Sequence, residues 1–159
     1  MTLALDTTAL LSRFLDGPTH PVVLEAMAAD GDWCASALAL SEALMLVDRL
    51  GDDPTRTDDL RRALRDDWER IHVVPVDQRC LDRAAELGRL HPLRTVDAVH
   101  LAAADRLPRP VTFATFDAAQ IPVALALGFR VLGGDPDGAA GAAWVHPGPH
   151  GGGDARLAP

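Results

Sequence analysis

Lysine and tyrosine are absent from this 159-residue chain, and aromatic side chains make up only 4% of it. Without tyrosine, and with three Trp and four Phe in all, a row of base-stacking platforms along a single nucleic-acid strand is hard to build. The only two cysteines, Cys34 and Cys80, lie far apart. They exclude a disulfide framework and a CxxC zinc knuckle, and they favour a reducing compartment, so a cytoplasmic location is expected. No apolar run approaches the roughly 18 residues that cross a bilayer, so no membrane association is expected. The opening Met-Thr-Leu-Ala-Leu-Asp lacks a basic leader and meets a carboxylate at Asp6, which argues against a signal peptide. Neither a GxxxxGK[ST] loop nor a GxSxG elbow occurs, so nucleoside-triphosphatase and serine-hydrolase readings lose support.

What is present is a 48% apolar, 24% charged chain of a length suited to one ordinary domain. Acids outnumber bases 23 to 15, for a net charge of −8. That balance opposes non-specific adhesion to nucleic acid, although bound divalent cations would change the local sign. All the cations are Arg, and most of the acids are Asp rather than Glu. From Gly133 to Pro159 glycine and proline dominate and apolar periodicity vanishes, which reads as a flexible tail on a domain spanning 1–132. His146 and His150, in that Gly/Pro context, have too little preorganisation to suggest a metal site.

Within 1–132, short apolar runs alternate with helical stretches. Strands are expected at Leu3–Leu5, Trp33–Ala35, Val73–Val76, Val111–Ala114 and Phe129–Leu132. Helices are expected from about Leu10 to Leu15, from Pro21 to Ala29, and from a Ser36 cap to about Leu50. Further helices run through Leu60, Leu64 and Trp68, from an Asp77 cap through Gly88, from Thr95 to Leu107, and from about Pro122 to Leu127. Alternation of this kind predicts an α/β fold with a parallel sheet of about five strands flanked by helices in three layers.

Ligands bind beyond the carboxyl ends of strands in such sheets. Asp6 ends the first strand and Asp117 follows the fourth, so both belong to that edge. Glu42 interrupts an otherwise apolar helix, where a lone carboxylate needs a cation or donors. Asp97 sits in the first turn of its helix, where the dipole favours an anion. Singly, each has an ordinary structural role such as a helix cap; together, four acids on one strand–helix edge repel one another unless a cation joins them. Hard oxygen ligands suit Mg²⁺ or Mn²⁺, one or two ions, and the lack of Cys or His ligand spacing argues against zinc.

The segments Leu5-Asp-Thr-Thr-Ala-Leu-Leu11, Ser41-Glu42, Leu93-Arg-Thr-Val-Asp-Ala-Val-His-Leu-Ala-Ala-Ala104 and Thr115-Phe-Asp117 resemble the PIN-domain ribonucleases, most closely the VapC toxins of bacterial toxin–antitoxin pairs. The resemblance covers nearly all of 1–132, and the segment around Asp97 is its most specific part. It implies that Asp6, Glu42, Asp97 and Asp117 are the four acidic positions of a Mg²⁺- or Mn²⁺-dependent endoribonuclease. Asp6 and Asp97 would be the principal metal ligands. Glu42 and Asp117 would act as second ligands, through water, or by orienting the attacking water. Thr8 and Thr115 match positions that often carry a hydroxyl beside the metal. The resemblance further implies an RNA substrate, a cognate antitoxin partner and a homodimer. A housekeeping RNA-processing nuclease and a non-catalytic binding module of the same fold stay open. So does a phosphohydrolase with Asp6 as nucleophile, although the second Asp expected two positions later is missing.

His100, three residues after Asp97, shares its helix face and reads as a hydrogen-bonded group beside the site, with a general-acid role as the alternative. Arg94 is placed to contact a phosphate or a partner's carboxylate, or to be solvated. Arg61, Arg62 and Arg65 interleave with Asp58, Asp59, Asp66 and Asp67 and read as a salt-laced surface. Trp33 and Trp68 read as core, and Trp144 as a residue that could reach a partner.

Overall fold

Alternate residues of the four central strands fall into two separate apolar cores, the signature of a parallel sheet covered on both faces. The computed structural model describes residues 2–51 and 53–134 and the backbone of 142–145. In chain order the elements are β1 (Thr2–Leu5), α1 (Thr7–Ser12), α2 (His20–Ala29), β2 (Asp32–Ser36), α3 (Ala39–Leu50), α4 (Pro54–Trp68) and β3 (His72–Val74). They continue with α5 (Gln78–Leu90), α6 (Thr95–Asp105), β4 (Val111–Ala114), α7 (Ile121–Ala126), β5 (Arg130–Gly134) and β6 (Ala142–Val145). Sheet order is β3-β2-β1-β4-β5-β6. The first five strands are parallel, as expected for the α/β three-layer fold, and β6 runs antiparallel to β5.

One core takes Leu3, Leu5, Trp33, Ala35, Ala114 and Leu132 against α1–α4. The other takes Ala4, Cys34, Val111, Phe113 and Val131 against α5–α7. Trp33 is fixed in the first core because its indole N–H donates to the carbonyls of Met27 and Asp30. Trp68 is only partly buried and packs against that core's edge. Both cysteines are buried and free. Arg61 pairs with Asp48 and Asp58, and Arg62 with Asp59, a salt-laced face as read from the sequence, but Asp67, expected on that surface, is buried and pairs with Arg13 after α1.

Several local expectations change. Ser36 does not cap the following helix: it ends β2, and α3 starts at Ala39 with no side-chain cap. Its hydroxyl is drawn inward to His100 instead. The strand expected to reach Val76 stops at Val74, since Pro75 has no N–H for a ladder. The helix expected to reach Leu15 ends at Ser12. Asp77 does cap α5, accepting from the Cys80 N–H at 3.0 Å, and Pro122 sits in the first turn of α7, where its missing N–H is tolerated. Gly128 adopts φ +78 after α7, a left-handed turn that glycine makes without strain.

The domain boundary after Leu132 also shifts. β5 runs on to Gly134, and Ala142–Val145 pairs with it as β6, covering a backbone edge that would otherwise be unpaired. The short apolar run Ala-Ala-Trp-Val is the signal that the high Gly/Pro content of the region obscured. Trp144 therefore belongs to a strand. The rest of the expected tail, 135–141 and 146–159 with His146 and His150, lies outside the described residues.

β5 approaches the β4 exit closely. A Cβ on Gly133 would lie 2.8 Å from the Thr115 carbonyl oxygen and 3.2 Å from the Ile121 Cδ1. Gly133→Ala is expected to lower unfolding stability by about 1–3 kcal/mol through this overpacking. An unchanged urea midpoint would show that the backbones are not held this tightly.

Candidate active site

β1 is the topological switch point of the sheet: the chain leaves it towards β2 and β3 on one side and returns to β4 and β5 on the other. Crevices form at the carboxyl ends of strands where the order reverses in this way. Leu5 at the end of β1 is in register with Ala114 at the end of β4, so Asp6 and Thr115 emerge side by side.

Asp6 is 0% exposed. It caps α1, its Oδ1 accepting from the Ala9 N–H at 2.8 Å, while the Thr8 hydroxyl donates to the same oxygen at 2.8 Å. Its Oδ2 accepts from the Thr115 hydroxyl at 2.6 Å and the Gln120 amide at 3.0 Å. These donors are uncharged. Burial pushes the Asp6 carboxyl above its ordinary pKa, against the hydrogen bonds from Thr115, Ala9 and Thr8 that favour the anion.

Glu42, in the first turn of α3, accepts from Thr7 and lies 3.0 Å from the His100 Nε2. A carboxylate only accepts, so that contact places a proton on Nε2. On the other side of the ring, Nδ1 meets the Ser36 hydroxyl at 2.8 Å. The His100 hydrogen bond, joined by that from Thr7, holds the Glu42 carboxyl below its ordinary pKa in spite of partial burial.

Asp97, 2% exposed, is gripped by Arg94 through Nε and a terminal nitrogen, each at 2.8 Å. That terminal nitrogen also donates to Asp117 at 2.8 Å. The carboxylates raise the Arg94 pKa, Asp97 foremost. Asp117 is tied locally as well: its Oδ1 accepts from the Ala119 N–H, and its own N–H donates to Thr115. Gln120 links the two halves of the cluster, its amide nitrogen reaching Asp6 and, at 3.4 Å, Asp97.

Asp6, Glu42, Asp97, Arg94, His100 and Gln120 all line a cavity of about 380 Å³, whose rim includes Met45 and Arg49. Of the four acids singled out in the sequence, three share this cavity and Asp117 joins through Arg94. Thr8 and Thr115 both hydrogen-bond Asp6, His100 contacts Glu42, and Arg94 pairs with Asp97 and Asp117 while its side chain stays largely exposed. Sequence reading missed Gln120, Thr7 and Ser36. Thr7 stood beside the hydroxyl that was chosen, but nothing marked Gln120, whose role depends on the turn between β4 and α7.

The donor set suits a hard divalent cation. It offers carboxylate oxygens, an Asp6 anion surrounded by neutral donors, and a buried Gln120 Oε1 without a hydrogen-bond partner. A cation beside Asp6 would oppose the effect of burial on its pKa. As the side chains stand, no three acidic, His or Cys groups among the described residues converge enough to share an ion. Arg94 instead bridges Asp97 and Asp117.

A sequence model of the PIN domain matches residues 3–124. Among curated proteins none matches the chain. Solved structures share its fold. FitAcB from Neisseria gonorrhoeae has a TM-score of 0.64 at 18% identity, over 86% of this chain and 99% of that one. VapBC2 from Rickettsia felis, bound to a DNA fragment from its promoter, has a TM-score of 0.60 at 14% identity, over 85% and 100%. A toxin–antitoxin complex from Klebsiella pneumoniae has a TM-score of 0.57 at 18% identity, over 75% and 89%. With the model match spanning well over half of its length, the chain belongs to the PIN-domain family.

Proposed function

We propose that this protein is a Mg²⁺- or Mn²⁺-dependent endoribonuclease that acts as the toxin of a toxin–antitoxin pair. The observation that carries this reading is the acidic cluster at the β1/β4 switch point, built around a fully buried Asp6. The structural relatives, toxin–antitoxin assemblies among them, support the biological half of the proposal. In this reading Asp6 and Asp97 are the principal ligands. A bound divalent cation supplies charge neutralisation at a phosphodiester and acidifies water near pH 7.

The chain's own residues do the remaining work. Thr8, Thr115 and Gln120 fix the Asp6 carboxylate through donors on three separate segments, so its lone pairs keep one orientation. Glu42, kept anionic by His100 and Thr7, is placed to accept a proton from an attacking water or to orient it. Ser36 fixes the imidazole from behind. Asp117 is the second carboxylate of the outer pair. A cognate antitoxin would cover this cavity, where Met45, 56% exposed, offers an apolar contact at the rim. A homodimer belongs to the same proposal.

Incubating total cellular RNA with the purified full chain, with Mn²⁺ or EDTA, tests the chemistry. Discrete metal-dependent fragments are expected, reduced by at least about 100-fold in Asp97→Asn. Cleavage that persists in EDTA, or at full rate in the variant, would overturn the assignment.

Stability gives an independent check on Glu42. Its folded pKa lies below the ordinary 4.5, so its ionised form contributes stability that is complete above that value. The contribution is lost as pH falls through the folded pKa. Glu42→Gln is therefore expected to melt below the native protein at about pH 7, with the gap closing under acid. A gap of constant size down to about pH 3 would mean that the Glu42–His100 contact does not carry this linkage.

A further inference from the structure

Asp97 and Asp117 are held together by one guanidinium, carried on the most solvent-exposed side chain of the cluster: the Arg94 side chain is 68% exposed, Asp117 22% and Asp97 2%. Arg94 precedes the first residue of α6 in extended backbone, φ −68 and ψ 154. Its head can therefore leave the carboxylates by side-chain rotation alone, without disturbing the helix. The Asp97 carboxylate cannot follow it into water. Its other recorded hydrogen-bond donor is the Gln120 amide at 3.4 Å, so a cation must replace the guanidinium as it leaves. Gln120, 1% exposed and lining the same cavity, is a second observation that points to a ligand: its buried Oε1 has no hydrogen-bond partner.

We propose that Arg94 is an internal counter-cation that competes with the divalent ion for Asp97 and Asp117 and, once displaced, binds the RNA phosphate. The proposal rests on the nuclease reading above and adds an order to it. Without the ion, Arg94 neutralises the outer carboxylates and is withheld from substrate. When the ion takes Asp97, the guanidinium is released at the mouth of the same cavity, where its planar fork suits two phosphate oxygens. Cation and RNA then bind cooperatively, because the first removes the partner that holds Arg94 away from the second. Arg94 is a substrate-binding residue in this scheme, with its carboxylate contacts as the resting state.

Calorimetric titration of the full chain with MnCl₂ tests the competition without relying on activity. Native protein is compared with Arg94→Gln, Arg94→Lys, Asp97→Asn and, as a charge control on the α4 surface, Arg62→Ala. Arg94→Gln is expected to bind Mn²⁺ about five-fold or more tightly than native, with Arg94→Lys in between and Arg62→Ala unchanged. The second reading is fluorescence anisotropy with a short mixed-sequence phosphorothioate RNA, with and without Mn²⁺. Mn²⁺ is expected to raise RNA affinity in the native protein, and by several-fold less in Arg94→Gln. Equal or weaker Mn²⁺ binding by Arg94→Gln overturns the competition. An undiminished gain in RNA affinity overturns the phosphate role. If Asp97→Asn binds Mn²⁺ as native does, the metal site itself is wrong and the nuclease reading falls first.

Discussion

A carboxyl group with no exposure, placed where the sheet reverses its order, is the constraint on which the rest of the site depends. The Asp6 carboxylate stays buried only because donors reach it from α1, from the exit of β4 and from the turn before α7. Each donor belongs to a different segment, so satisfying one side chain fixes the mutual position of all three. The same bonds connect to the backbone around them. Thr8 accepts from the Phe116 N–H, and Thr115 accepts from the Asp117 N–H, so the β4 exit is clamped over β1. Burial opposes the charge while the donors favour it, and the balance leaves the Asp6 pKa above the ordinary carboxylate value.

The second half of the cluster is organised differently. Around Glu42 the partner is a buried imidazole held from behind by the last residue of β2, a hydrogen-bonded chain Ser36–His100–Glu42 that ends on the carboxylate as acceptor. Around Asp97 and Asp117 the partner is a permanent cation lying at the surface. One side of the cavity is therefore preset, with its groups pinned by buried hydrogen bonds, and the other is exchangeable. Such asymmetry fits the proposed binding of an ion and a polyanion: fixed oxygen donors would set the geometry, and the exchangeable group is the one on the exposed Arg94 side chain.

Legibility in the sequence followed the same division. Strand–helix alternation gave the layers and the parallel sheet, because strands buried on both faces must be short apolar runs and their crossovers must be helices. Acids at the ends of β1 and β4 and in first turns stood out because charge is conspicuous beside apolar runs. Gln120 and Ser36 did not, since an amide or hydroxyl has an ordinary surface reading and acquires its partner only through tertiary placement. Ser36 was misread as a helix cap for this reason. β6 was hidden by composition: four apolar residues within a Gly/Pro-rich stretch carry little periodicity, and only the open edge of β5 gives them a place. Arg94 was noted beside α6, yet its attachment to Asp117 depends on a contact between residues 23 positions apart, which no local pattern encodes.

The electrostatics of the whole molecule bear on how such a chain could hold RNA at all. A net charge of −8 gives no long-range attraction to a polyanion. Most of the arginines with recorded partners are committed elsewhere: Arg13 to Asp67, Arg83 and Arg109 to Asp105, Arg106 to Asp77, Arg61 and Arg62 on α4. The basic side chains lining the cavity are Arg49 and Arg94. Attraction for a phosphate must then be created locally, and the acids themselves are the means. In the proposed scheme Asp6 and Asp97 would hold the divalent cation, which would reverse the local sign of the surface while freeing a guanidinium that was neutralised. On that proposal an acidic protein would gain a phosphate-binding site only when a divalent cation is bound, while its net charge of −8 opposes binding of nucleic acid elsewhere.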